Sequence, residues 1–137
     1  MEATSSSSHN LRNLEIRAGV DRVELGNFSR VLDIGGREFL SVVYSDNELR
    51  YCSDRVNRLA ARFAAKEATS KVLRTGLKNF RLTDIEVLSG NSGEPRILLH
   101  REAKDLAATI GIVSISASLT HTSKVAEAFV VALVSRN

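Results

Sequence analysis

The segment Arg62-Phe63-Ala64-Ala65-Lys66-Glu67-Ala68-Thr69-Ser70-Lys71 sets a carboxylate and an ammonium into an apolar helical face. At about 100° per residue, Ala60, Phe63, Ala64, Glu67 and Lys71 share one arc, with Leu59 and Ala68 at its edges. Arg58, Arg62 and Lys66 project from the other side, so Lys66 is predicted to be exposed or to touch an anionic ligand from the rim. A solvated Glu–Lys pair at this spacing is worth only about 0.2–0.5 kcal/mol. Here the pair lies beside Phe63 instead, and burying charge is costly unless it is paired, hydrogen-bonded or bound to a metal. Far upstream, Asp21 follows an alternating apolar segment and could supply the second half of a hard-cation site. Magnesium takes one or two carboxylates, keeps several waters and draws the rest of its shell from substrate phosphates. Two carboxylates from distant segments and a lysine therefore suit phosphoryl transfer better than glycosidic or acyl chemistry, since lysine and metal neutralise phosphate oxygens from different sides. Glu24 either joins the carboxylates or starts the following helix, where it would favour the dipole.

The other chemical candidates are weaker. His121 falls in the turn Ser118-Leu119-Thr120-His121-Thr122, either as an exposed loop residue or, with those hydroxyls, as a phosphate contact. Thr75-Gly76 is a helix C-cap or a place where a ligand nears the backbone. His9 and His100 have no supporting neighbours. The lone Cys52 excludes an internal disulfide, offers no zinc spacing with the scattered histidines, and is predicted to be a small buried residue.

These residues must be positioned by a small set of elements. Leu14, Ile16, Ala18 and Val20 alternate with polar residues and glycine, a half-buried strand with Asp21 near its C-terminal end. Residues 23–32 have helical spacing and stop at Gly35-Gly36. Ser45-Asp46-Asn47-Glu48 has capping-box form. Ser53-Asp54 can cap the longest helix, which runs to about Leu73 and is closed by Gly76. Phe80-Arg81-Leu82 and residues 85–88 are predicted as strand, Gly90-Asn91-Ser92-Gly93 as a turn, and residues 97–99 as the partner strand. A short helix over 103–110 ends at Gly111, and residues 113–118 and 126–134 form a hairpin around Thr120-His121-Thr122-Ser123. The expected fold class is α+β, an antiparallel sheet packed against one long helix and shorter ones.

Composition sets the outer bounds. At 137 residues, 43% hydrophobic, the chain fits one domain, residues 13–137, after a serine-rich disordered tail over 1–12. No apolar run approaches the roughly 20 residues of a membrane span, and the start lacks an apolar signal core, which predicts a cytoplasmic protein. The net charge of +3 favours an anionic partner. Nucleic acid is disfavoured, because two Tyr and five Phe without basic interleaving make no stacking platform.

Five segments then carry a resemblance: Gly19-Val20-Asp21-Arg22-Val23-Glu24-Leu25, Arg62-Phe63-Ala64-Ala65-Lys66-Glu67-Ala68, Lys71-Val72-Leu73-Arg74-Thr75-Gly76, Asp84-Ile85-Glu86-Val87 and Ser118-Leu119-Thr120-His121. In order and spacing the chain resembles the holo-acyl-carrier-protein synthases, the short class of 4′-phosphopantetheinyl transferases, from about Leu14 to Val134. The resemblance implies magnesium-dependent transfer of the phosphopantetheine arm from coenzyme A to a serine of an acyl carrier protein, with release of 3′,5′-ADP. By that resemblance Asp21 and Glu67 hold the metal, Glu67 or a water on the metal serves as base, and Lys71 contacts the phosphate or assists the leaving group. Thr75, Gly76 and His121 lie around the coenzyme's phosphates and adenosine by the same resemblance; Lys66 joins them as a rim contact, and Arg74 as a guanidinium that could reach a phosphate or crowd the coenzyme. Members are typically trimers with sites built between subunits, which implies a homotrimer. The chain departs from the pattern at Arg74, where glycine is usual, at Arg22, where an aliphatic residue is usual, and at Asn27, where a basic residue often docks the carrier; Arg30 and Arg37 could supply that charge. The alternative is a non-catalytic paralogue, disabled at Arg74, that binds coenzyme A or a carrier protein; retention of Asp21, Glu67 and Lys71 argues against it.

Overall fold

The computed structural model describes residues 13–73 and 80–136. The serine-rich start and three expected coenzyme contacts, Arg74, Thr75 and Gly76, lie outside the described residues. Strand β1 (Leu14–Glu24) pairs antiparallel with β5 (Val125–Ser135), which pairs with β4 (Ile112–His121), giving a three-stranded sheet in the order β1-β5-β4. A second, two-stranded sheet joins β2 (Ile85–Ser89) to β3 (Pro95–Leu99). Among the described residues four α-helices complete the α+β fold: α1 (Leu25–Val43), α2 (Asp46–Cys52), α3 (Val56–Leu73) and α4 (Arg101–Ile110).

The hairpins, the α4 stop at Gly111 and the burial of Cys52 follow the sequence patterns. Burial also pushes the Cys52 thiol up to about 11, which keeps it protonated and inert. The capping box forms as expected: Ser45 Oγ accepts from Glu48 N at 3.2 Å and Glu48 Oε1 accepts from Ser45 N at 2.8 Å. Three local expectations need correction. Helix α1 does not stop at Gly35-Gly36; it breaks there, with Gly36 at φ 54°, ψ −140°, and resumes. The break folds Phe39 back to 5.9 Å from Phe28, and both rings pack on Phe63 of α3. Leu82–Asp84 is a 3-10 turn rather than strand, because the Asp84 carboxylate accepts from Arg81 N at 3.1 Å and offers the backbone a local alternative to a ladder. Ser53 and Asp54 take left-handed φ values of 47° and 62°, and Ser53 ends α2 instead of capping α3.

Helix α3 lies across the inner face of the three-stranded sheet. Its Ala64, Ala65 and Ala68 meet Ala128, Val130 and Ala132, so small side chains on both sides let helix and sheet approach closely. Strand β1 turns its other face inward from the one its pattern predicts: Gly19 is buried, whereas Ile16 is 70% and Val20 56% exposed. Beside them on β5, Phe129 is 49% exposed and stands opposite Val20. The alternation is real, but its apolar side faces away from α3.

The far side of α3 is covered too, by α2 and β2, and this enclosure overturns the expectation for Lys66. The residue is fully buried. Its ammonium pairs with Glu48 Oε1 at 2.8 Å and donates to Leu82 O at 3.0 Å and to Ile85 O. Burial lowers the Lys66 pKa, and Glu48 pulls against that effect. With three protons given to three protein acceptors, Lys66 has no donor left for a coenzyme.

Glu86 extends this polar layer, taking hydrogen bonds from Ser45 Oγ at 2.6 Å and Asn47 Nδ2 at 3.3 Å and lying 3.0 Å from His100 Nε2. Burial pushes its carboxyl up, but the bonds from Ser45, His100 and Asn47 together outweigh burial and hold it below its ordinary value. A depressed carboxyl pKa contributes stability above the unfolded value, and that contribution is lost as pH falls through the folded value. Urea unfolding of the wild-type chain and Glu86→Gln should therefore show a stability gap at neutral pH that closes on acidification past the ordinary glutamate range. A gap independent of pH would exclude this role.

Candidate active site

Strand β1 and helix α3 bring Asp21 and Glu67 to one open cleft of about 380 Å³. Glu24, Asn27, Phe28 and Phe63 also line it. Asp21 is half-buried, and Lys71, one helical turn beyond Glu67, reaches across to it: Nζ lies 3.4 Å from Asp21 Oδ1 and donates to Val20 O at 2.7 Å. The three residues that the sequence singled out for phosphate chemistry are thus neighbours. Two carboxylates on separate rigid elements, open to solvent, fit a cation that keeps water and takes phosphate oxygens into its shell. Among the described residues no group of three or more His, Cys, Asp or Glu forms a closed metal cage. The donor set therefore fits magnesium and does not fit structural zinc. Glu24 accepts from Asn27 Nδ2 at 2.6 Å, and Asn27 in turn accepts from Arg30, so its carboxylate is tied to α1.

His121 does not join this cleft. It ends β4, with Nε2 3.3 Å from Asn57 Nδ2, and lines a separate depression of about 320 Å³ with Arg55, Arg58, Arg62 and Thr120. Sequence reading put Arg58 and Arg62 outside the apolar arc without giving them a task. Arg62 is only 5% exposed, its Nε lacks a hydrogen-bond partner, and among the described residues no carboxylate pairs with it. Its guanidinium lies 4.1 Å from the centre of the Tyr51 ring, with Arg58 at 4.8 Å from the same ring. The hydrogen bond to Ser89 lowers the Tyr51 pKa; slight burial opposes it and the two arginines assist it. Arg62 Nη2 donates to Ser89 Oγ at 3.4 Å, and a buried cation without a carboxylate beside two more arginines gives this depression the charge to take an anion. The i, i+3, i+7 spacing of Arg55, Arg58 and Arg62 was the signal available in the sequence.

Comparison with known proteins gives these clefts a family. Residues 17–134 match the family described as the 4′-phosphopantetheinyl transferase superfamily. The chain is 42% identical over 116 residues to a holo-[acyl-carrier-protein] synthase of Halothermothrix orenii, covering 82% of this chain and 93% of that protein. It is 38% identical over 123 residues to one from Ruminiclostridium cellulolyticum, covering 86% and 92%. The crystal structure of Helicobacter pylori holo-[acyl-carrier-protein] synthase in complex with coenzyme A superposes with a TM-score of 0.76 at 31% identity, over 84% of this chain and 98% of that one. With most of its length matched by the family and by relatives of this similarity, the chain belongs to the 4′-phosphopantetheinyl transferase superfamily.

Proposed function

We propose that this chain is a holo-[acyl-carrier-protein] synthase, transferring the 4′-phosphopantetheine arm of coenzyme A to a serine of an apo acyl carrier protein and releasing 3′,5′-ADP. The observation that carries the reading is the meeting of Asp21 and Glu67 at one open cleft, with Lys71 Nζ 3.4 Å from Asp21 Oδ1, in a chain of this superfamily. The serine oxygen attacks the phosphorus that bears the pantetheine arm, the bond from that phosphorus to the 3′,5′-ADP oxygen breaks, and the serine proton is lost. Glu67 stands to accept that proton, and Lys71 to neutralise charge on the phosphate and leaving oxygens. Asp21 and Glu67 would hold magnesium, which when bound draws charge from the pyrophosphate. With the pyrophosphate so assigned, the coenzyme's remaining phosphate falls to Arg55, Arg58, Arg62 and His121.

The two clefts share no lining residue and flank α3 on different sides, which favours a coenzyme site completed by a second copy. The outward apolar face of Ile16, Val20 and Phe129 is the surface on which copies of a homotrimer would meet. A solution mass of one chain would overturn that part of the reading. Helix α1 presents Arg30, Arg37 and the 87%-exposed Ile34, a basic and apolar surface suited to an acidic carrier helix. Among the described residues no helix is long and apolar enough to cross a membrane, and a cytoplasmic location is part of the same reading.

Mass spectrometry of an apo carrier protein, incubated with this chain, coenzyme A and magnesium, should show the added arm, and a chelator should prevent it. No added mass across several carriers, with a folded protein, would favour the non-catalytic paralogue.

A further inference from the structure

Gly19 stands two residues before Asp21 on β1, buried under α3. A Cβ built there would fall 2.2 Å from Ala68 O and 3.2 Å from Lys71 Cβ. The first is a backbone atom in mid-helix and cannot turn aside. Ala68 directly follows Glu67, and Lys71 is the residue whose ammonium reaches Val20 O and Asp21. The helix side of the crossing is already reduced to Ala64, Ala65 and Ala68, so no larger side chain remains there to yield. Any side chain at position 19 must therefore part strand from helix within two residues of one carboxylate and one residue of the other.

We infer that Gly19 is the positioning residue of the Asp21–Glu67 pair: by letting the α3 backbone rest directly on β1, it sets the separation at which both carboxylates reach one divalent cation. The inference rests on the proposed reading of that pair as a metal site. Magnesium demands near-ideal octahedral geometry at about 2.0–2.1 Å. A contact of 2.2 Å must open by more than an ångström to become ordinary, so Gly19→Ala leaves one carboxylate short of the ion although neither carboxylate has been removed.

The test is direct metal binding: Mn2+ titrated into the protein with coenzyme A present, followed by water proton relaxation. Wild type, Gly19→Ala, Asp21→Asn and Gly26→Ala are compared. Gly26 meets nothing within 4 Å of an added Cβ and controls for loss of backbone freedom alone. The expected result is at least tenfold weaker Mn2+ binding in Gly19→Ala. A matching rise in the magnesium needed for half-maximal transfer should accompany it, with the KM for the carrier unchanged and Gly26→Ala like wild type. Wild-type Mn2+ binding by folded Gly19→Ala, with binding lost in Asp21→Asn, would overturn the role of Gly19 alone. Retained binding in Asp21→Asn would overturn the metal reading and this inference with it. Should Gly19→Ala not fold, Ala68→Ser, which crowds the contact of α3 with Ala128, Val130 and Ala132 of the same sheet, decides by the same criterion.

Discussion

Glu67→Gln is expected to lower phosphopantetheine transfer by about a thousandfold or more while leaving the fold intact. The amide has the shape of the carboxylate, so packing beside Phe63 and the α3–β1 contact are unchanged. What is lost is one negative charge at the cleft shared with Asp21 and, on the proposed reading, the base for the carrier serine. Metal stabilisation of developing charge is worth several kcal/mol, and about 1.4 kcal/mol is a factor of ten in rate. Loss of both roles therefore lands near three decades. Asp21→Asn should follow with a smaller loss in the chemical step and a higher magnesium requirement, since on the proposed reading Asp21 would supply charge to the metal and no base. Thermal unfolding, transfer assayed by carrier mass, and magnesium titration of each variant check these expectations. If Glu67→Gln transfers at near-wild-type rate, the assignment of the cleft is wrong.

The candidate site was legible in the sequence where chemistry conflicted with pattern. Glu67 and Lys71 stood on an arc that should have been apolar, and Asp21 followed a strand; the structure brings Asp21 and Glu67 to one cleft and Lys71 to Asp21. What a helical wheel cannot show is how many of its faces are covered. Arg62 and Lys66 share the face expected to be solvated, but α2 and β2 close over it, and both residues are buried. Arg62 then becomes a buried cation short of partners, and Lys66 a structural one. Strand β1 misled in the opposite direction. Its Ile16 and Val20 alternate as a buried face would, but the inner face is reserved for Gly19 and Asp21, where close approach and charge are needed. An apolar alternation marks a face that seeks cover, and that cover need not come from the same chain. The kink at Gly36 and the Asp84 turn depend on Phe28–Phe39 packing and on a backbone–carboxylate bond, neither of which periodicity registers.

Lys66→Met is expected to destabilise the protein strongly without a specific effect on coenzyme binding, the reverse of what a rim lysine would do. Removing the ammonium leaves Glu48 buried without its cation and takes the donor from Leu82 O and Ile85 O. Breaking one side of a buried pair costs about 3–5 kcal/mol, a large share of a typical stability of about 5–15 kcal/mol. For a chain of this size the melting temperature should fall by on the order of 10–20 °C. Adding Glu48→Gln to Lys66→Met removes the stranded charge while keeping an acceptor for Ser45 N or Val87 N, so it should recover part of the loss. Recovery stays incomplete, because Ile85 O has lost the ammonium donor and Leu82 O keeps only the backbone N–H of Ile85. Thermal unfolding of the single and double variants measures this coupling, and the KM for coenzyme A separates it from a binding role. A raised KM with an unchanged melting temperature would return Lys66 to the coenzyme. A lowered melting temperature with an unchanged KM keeps it in the layer that ties α2, the 3-10 turn and β2 to α3, so that the next residue, Glu67, points into the cleft with Asp21.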